Sequence, residues 1–534
     1  MSNVLKFFLL LGGTFVALMV LRWTGGLVFD NRQVLSIVIF SMFIFGTLLF
    51  GDFRLAFAFG GIALLMALNL LSVEGFTQSA SLNVIIFLVG MFLVIGYLEE
   101  NQFFEHVVES ILAWVGPRPK VLLIVLMLMG TIAAALVDEV TSILFMTGTM
   151  LHITTRHKLN PVPFVIMLVF ATNIGSAASS IGNPIGVMIA LKAGFTFIEF
   201  LRWSAPIAVV VNIVTYLICR WWFATDIKAF EMAIEQEHAA LVRSKMPAQQ
   251  VAVTAAGGGE TSEGVAGSLG ELDESESYMP PEESHHPKFK DLDSEDKRAR
   301  IISWIVFLST ITLLMSHGFV EHVLGKLLGA KEGHLPEGTM MVGSSLLMGA
   351  IVLLLRGSRA RELVERRVDW WTLSFFMMLF ASVGTLKETH VTAVIATRLL
   401  ELTGTGHPAL LIQVIGWSTG WLSAFLDNVL AVATFMPVVE DVRIHVAPQG
   451  YPESIYWLML FGGTFMGNMT VIGSTANIIA VGILEKRGFG TIKFGYWFKI
   501  GLLVSIASML VATLLLGVQT HWFTQPILPP PRLQ

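Results

Sequence analysis

Apolar residues run along this chain in long uninterrupted blocks, without the alternation of a strand or the single stripe of a surface helix. The blocks cover 4–22, 34–50, 54–72, 82–98, 120–137, 161–175, 203–223, 301–317, 339–355, 369–386, 408–426, 454–466 and 496–516. A membrane-spanning helix needs about 20 mostly apolar residues, and no soluble core calls for so many in series. The pattern predicts an all-α polytopic membrane protein. The first block, from Met1 to Arg22, lacks a small-x-small cleavage site and reads as a retained helix rather than a signal peptide.

Composition sharpens this. The 534 residues are 54% hydrophobic and 14% charged, with a mean hydropathy of +0.72. That excludes a disordered chain and an ordinary soluble enzyme, for which about 25% charge is usual. A net charge of −5 without a basic stripe excludes a nucleic-acid binder. The single cysteine, Cys219, excludes a disulfide framework and a thiolate zinc site.

The charge is unevenly placed. Sixteen acidic and eight basic residues fall between Asp226 and Arg300, so this stretch carries −8 and the rest of the chain +3. Residues 226–300 read as a disordered acidic linker between a membrane half at 1–225 and another at 301–534. The linker is rich in Gly, Ser, Glu and Pro, as in Gly257-Gly258-Gly259 and Pro280-Pro281, and has too little apolar surface to fold alone. Its first part, 226–245, is expected to continue as a helix. The His285-His286 pair reads as solvated rather than metal-binding.

Basic residues near span ends set orientation. Arg356, Arg359, Arg361, Arg366 and Arg367 form the densest basic loop, and Lys297-Arg298-Ala299-Arg300 lies an even number of spans away. Both are expected in the cytoplasm, as are Arg156-His157-Lys158 and Glu485-Lys486-Arg487, the linker and the N-terminus. Arg22, Arg32, Lys192, Arg202 and Arg443 fall outside and count against the scheme, but the balance favours it.

Three landmarks recur in order. Gly96-Tyr97-Leu98-Glu99-Glu100 matches Gly384-Thr385-Leu386-Lys387-Glu388 at an offset of 288. Ala135 to Val140 matches Ala424 to Val429 at 289, and Ser179 to Pro184 matches Thr470 to Thr475 at 291. With the charge scheme, the same element runs in opposite directions in the two halves. Inverted repeats of this kind mark secondary transporters, with the site near the midplane between them.

Each repeat contains two interruptions. The run from Lys120 reaches Asp138-Glu139 and returns through 140–152, which predicts a re-entrant hairpin; its counterpart is 408–426 with 429–441, tipped by Asp427-Asn428. The second interruption is a polar, glycine-rich break: Thr172 to Ser176 leading into Ser179 to Pro184, matched by Gly467 to Asn477. Irregular backbone at membrane depth persists only where protein or a wet cavity surrounds it. Hydroxyls, amides and carbonyls there suit a desolvated sodium ion or an oxyanion, and half-helix ends add partial charge of either sign.

An ionisable group inside a membrane is functional by default, which singles out Asp138, Glu139 and Asp427. They are the candidate sodium ligands, with protons as the exchanged species. Two adjacent acids at one tip repel, and a proton held there can be exchanged for a cation. Ser176, Ala177 and Ala178 serve close packing as readily as a site. Glu99, Glu100 and Glu388 sit at helix ends, where ion pairing or capping is at least as good an explanation. His106, His152, His390 and His407 read as interfacial. The Asn468-Met469-Thr470 sequon lies at membrane depth and is discounted. No Walker loop is present, so transport is secondary, and no catalytic constellation or cofactor site is apparent.

At these residues the chain resembles the ion-transporter superfamily of NhaD sodium/proton antiporters, ArsB arsenite permeases and the melanosomal P protein. The stretches AALVDEVTS, TNIGSAASSIGNPIGVMIA, SAFLDNVLA and GNMTVIGSTANIIAVGILEKRGFG carry the likeness. The resemblance implies a homodimer in the membrane, with elevator-like movement of a transport part against a scaffold. It also implies coordination by two hairpin tips and two broken helices. By position that nominates Asp138, Glu139, Asn173, Ser179, Gly182 and Asn183, with Asp427, Asn428, Asn468, Thr470, Ser474, Thr475 and Asn477. Two departures stand out: the first tip reads Asp138-Glu139 where the family has Asp-Asn, and the first break reads Gly182-Asn183-Pro184-Ile185-Gly186 where it has Gly-Asp-Pro-Pro-Asn. One carboxylate has moved from the broken helix to the tip.

The leading expectation is therefore sodium- or lithium-for-proton antiport in a bacterial inner membrane. An anion permease for arsenite, an oxyanion or a carboxylate is the alternative on the same fold. A membrane sensor signalling through the acidic linker is a third.

Overall fold

The structure, a computed structural model, describes residues 2–24, 29–116, 118–245, 294–329, 335–336, 338–403, 408–446 and 453–522. Most of the predicted linker, with Gly257 to Gly259, Pro280-Pro281 and His285-His286, lies outside the described residues, as does His407. Among the described residues the chain is helical throughout, with no strand. Eight helices are long and apolar enough to cross a membrane, and the chain is a multi-pass integral membrane protein.

The predicted blocks map onto helices with informative exceptions. The block 54–72 is not one span: the helix stops at Arg54–Ala67, about 21 Å at 1.5 Å per residue. Asn69 adopts the left-handed conformation at φ 54°, and the Leu70 N–H bonds back to the Leu65 carbonyl at 2.9 Å, a turn that closes a helix C-terminus. Two helices extend into the stretch read as the linker. Ala224–Lys245 is helical, as anticipated, but Ser294–Leu327 is one helix too, so the basic run at 297–300 belongs to the first turns of a span.

Element order repeats. Leu82–Glu100, Phe103–Val115, the hairpin Pro119–Leu136 with Glu139–Arg156, and the broken pair Val162–Ser176 with Pro184–Ala193 are followed by a closing helix, Ala205–Trp222. Trp370–Glu388, Val391–Thr403, the hairpin Pro408–Phe425 with Asn428–Val446, and the broken pair Ser454–Phe465 with Thr475–Lys486 follow in the same sequence, closed by Phe494–Trp522.

Burial places the breaks at the centre. In Val162–Ser176 every residue from Pro163 onward is buried, and so is all of Ser454–Phe465. A helix that is apolar all round must be surrounded by protein or lipid; here it is protein. By contrast Asn3–Thr24 has only 11% of its spanning window buried and lies at the periphery. Each buried half-helix packs directly on the first arm of its own hairpin. A Cβ on Gly175 would sit 2.3 Å from the Thr131 carbonyl oxygen, and one on Gly462 would sit 2.4 Å from that of Gly416. The closing helices lock the breaks from outside by equivalent contacts: Ser204 Oγ donates to the Ala177 carbonyl at 2.5 Å, and Trp497 Nε1 donates to the Asn468 carbonyl at 3.0 Å.

Candidate functional site

Both hairpin tips are non-helical pairs made by an aspartate capping the helix that follows. Asp138 is extended, at φ −174°, and its Oδ1 accepts the Thr141 N–H at 2.8 Å. Asp427 Oδ1 accepts the Val429 N–H at 3.0 Å, and its Oδ2 accepts from Thr475 Oγ1 at 2.9 Å. A carboxylate is favoured at such N-termini by the free N–H groups and the helix dipole. The second Asp138 oxygen, Oδ2, is buried with no hydrogen-bond partner among the described residues.

Each tip hangs on the break of its own repeat. Ser179 Oγ donates to the Ala135 carbonyl, and Thr470 Oγ1 makes the matching bond to Ala424 at 2.5 Å. The Glu139 N–H also donates to the Gly182 carbonyl at 3.1 Å. Gly182 is required here for space: a Cβ would lie 2.4 Å from the Ser176 carbonyl oxygen and 2.7 Å from that of Ala134. Gly182→Ala is expected to cost about 1–3 kcal/mol through forced backbone movement, read as a lower melting temperature of the purified protein, with tip 1 displaced. Pro184 stands at the first position of its helix, where no N–H is missed. Asn183 caps that helix, accepting the Gly186 N–H at 2.7 Å, and Ser474 caps its counterpart by accepting from Ala476 at 3.2 Å.

Two buried networks join the halves. In the first, Glu139, 3% exposed, accepts from Ser176 Oγ at 3.0 Å and from Asn428 Nδ2 at 3.0 Å. Asn183 Nδ2 donates to the same Ser176 hydroxyl at 2.8 Å. The two departures from the family pattern are thus neighbours, one hydroxyl apart.

The second network centres on Asn173. Its Nδ2 donates to Asn468 Oδ1 at 2.7 Å and Asn477 Oδ1 at 2.8 Å, and its Oδ1 accepts from Ser474 Oγ at 3.1 Å. Asn477 Nδ2 then holds the broken backbone through the Gly467 and Thr470 carbonyls, at 2.9 and 2.8 Å. Asn468 Nδ2 is buried with no hydrogen-bond partner among the described residues.

All thirteen nominated residues therefore lie at the two tips and two breaks, tied by side-chain or backbone bonds. Sequence reasoning undervalued Ser176, which is the junction of the first network, and missed Thr141 and Trp497. The polar run around Asn173 was a signal for Ser176; nothing local marked the other two. It also set aside Glu99, which lines a cavity of about 510 Å³ together with Gln102, Glu105, Thr141, Gly148 and Arg367.

No lysine or arginine is buried among the described residues, so the three tip carboxylates have only neutral hydrogen-bond donors. Such an arrangement can receive a cation or a proton.

Comparisons agree with a transport architecture. The solved structure of the Alcanivorax borkumensis YdaH transporter, described as having an unusual topology, superposes with a TM-score of 0.52 at 15% identity, covering 94% of this chain and 100% of that one. This likeness concerns the fold alone. A 46 kDa membrane protein of Mycobacterium leprae is 27% identical over 472 residues, 86% of this chain and 93% of the relative. The uncharacterized transporter Rv2684 of Mycobacterium tuberculosis is 26% identical over 441 residues, 82% and 86% of the two chains. Human P protein is 25% identical over 486 residues, which cover 86% of this chain and 56% of that longer protein. A family profile described as citrate transporter, CitMHS, matches residues 42–462. The chain is a membrane transporter and belongs to the citrate transporter family.

Proposed function

We propose that this transporter exchanges sodium or lithium for protons, with Asp138, Glu139 and Asp427 as the exchanging carboxylates. Glu139 carries the reading. It is buried against two neutral donors, Ser176 and Asn428, with no cationic side chain hydrogen-bonded or ion-paired to it. A desolvated carboxylate without a counter-charge is costly. It is relieved by taking either a proton or a metal cation, and alternating between the two is exchange.

The two tips and two breaks, bound to one another, form the unit that would carry the ion. The meeting of Glu139 with Asn428, 289 residues apart, supports hairpins entering from opposite membrane faces. We place the Arg356–Arg367 segment on the cytoplasmic face of a bacterial inner membrane, with the protein a homodimer working by an elevator movement. The test is an ion panel on acid-interior everted vesicles. Sodium or lithium is expected to raise the internal pH, and potassium and choline are not.

A second reading, carboxylate transport, is favoured by the family's description and by Asn468 Nδ2, a buried donor suited to an anionic oxygen. Citrate uptake without any sodium- or lithium-dependent proton movement in the same vesicles would replace the first reading with this one.

A further inference from the structure

The cavity beside tip 1 has two unlike walls. One is built from Glu99 at the end of Leu82–Glu100, Gln102, Glu105 and Arg367; the other is the Thr141 to Thr149 face of the second hairpin arm. Arg367 reaches Glu99 at 3.1 Å and Glu100 at 3.3 Å. Glu100 is held a second time by Arg356, which leaves Glu99 dependent on the shared Arg367 and Glu105 with no basic partner among the residues lining the cavity. Two lining carboxylates, Glu99 and Glu105, against the one lining guanidinium of Arg367, itself shared with Glu100, leave this wall negative.

The cavity adjoins the site through one residue. Thr141 lines it and gives its N–H to the Asp138 carboxylate at 2.8 Å. At the matching position of the second half stands Lys387, the opposite charge, ion-paired to Glu440 of the second hairpin, which Lys192 also approaches at 3.8 Å.

We propose that Glu99 makes this cavity a cation-selecting vestibule, with Arg367 as the counter-ion that an arriving cation displaces. The inference deepens the antiport reading and rests on it for the identity of the ion, but the charge selection itself can be measured without transport.

Gly148 supplies the reporter. It is exposed, it lines the cavity, and a Cβ there meets nothing within 4 Å. The native Cys219 is buried and leaves the background silent. The full-length Gly148→Cys protein in detergent is treated with a cationic and an anionic methanethiosulfonate of similar size, each rate being divided by that with free cysteine. The corrected ratio is expected to favour the cation. Adding Glu99→Gln should lower the ratio about threefold, Arg367→Gln should raise it, and Glu99→Asp should preserve it. A ratio that Glu99→Gln leaves unchanged, or that Arg367→Gln lowers, overturns the inference. Shifted ratios in a protein that shows no sodium- or lithium-driven flux uphold the vestibule and sink the antiport reading, so the two failures are distinguishable.

Discussion

Replacing Glu139 by glutamine is expected to reduce sodium-driven proton exchange by roughly a hundredfold or more, while the protein still folds. The side chain is enclosed at 3% exposure, with Ser176 and Asn428 on its two oxygens. Glutamine keeps the shape, and its amide can still meet the Ser176 hydroxyl. What it loses is the charge, and with it a ligand that can trade a proton for a cation. Removing one partner from a buried ionic contact costs about 3–5 kcal/mol, and about 1.4 kcal/mol is tenfold in affinity. Proton flux in everted vesicles at matched protein content is the measurement. Retention of more than a tenth of the wild-type rate would falsify the assignment of Glu139. The Ser176 junction adds a second arm. Asn183 shares that hydroxyl, so Glu139→Asn combined with Asn183→Asp moves the carboxylate to the other side of the Ser176 hydroxyl. This double variant is expected to recover part of the exchange that Glu139→Asn alone loses.

The second large effect is expected at Asn173, on assembly as well as transport. Asn173→Ala removes the amide that satisfies Asn468, Asn477 and Ser474 together. All four residues are buried, and each group left unpaired costs about 1–3 kcal/mol. A loss of about 3 kcal/mol or more follows, concentrated where the two repeats join. Ser474→Ala, which deletes one bond to Asn173 and one cap bond, is expected to cost about a third as much. Thermal unfolding of the two purified variants checks the order. If Asn173→Ala melts with the wild type, the network is not what holds the breaks together.

Much of this was legible in the chain. Long apolar blocks force helices in a membrane because only there can backbone groups be satisfied internally. The same cost of burying charge exposed Asp138, Glu139 and Asp427 as special. Matching landmarks about 290 residues apart picked out the tips and breaks whose side chains meet in the structure. These are local or periodic properties, carried by residue type and spacing.

What was not legible depends on contacts between distant residues. Ser176 reads as readily for packing as for a site until Glu139 and Asn183 are seen on its hydroxyl. Asn173 reads as one polar residue among several until its amide meets partners 295, 304 and 301 residues away. Glu99 reads as a helix-end acid, and half of that holds, because Arg367 does pair with it. Its place on the wall of a cavity beside tip 1 follows only from how Glu139–Arg156 packs on Phe103–Val115, where Phe145 stacks on Phe104. The sequence by itself determined a membrane transporter with two interrupted halves and acids at two tips. Only the tertiary structure decided which polar groups face each other, because a hydrogen bond needs two partners about 3 Å apart in fixed orientation, and hydropathy and spacing constrain neither.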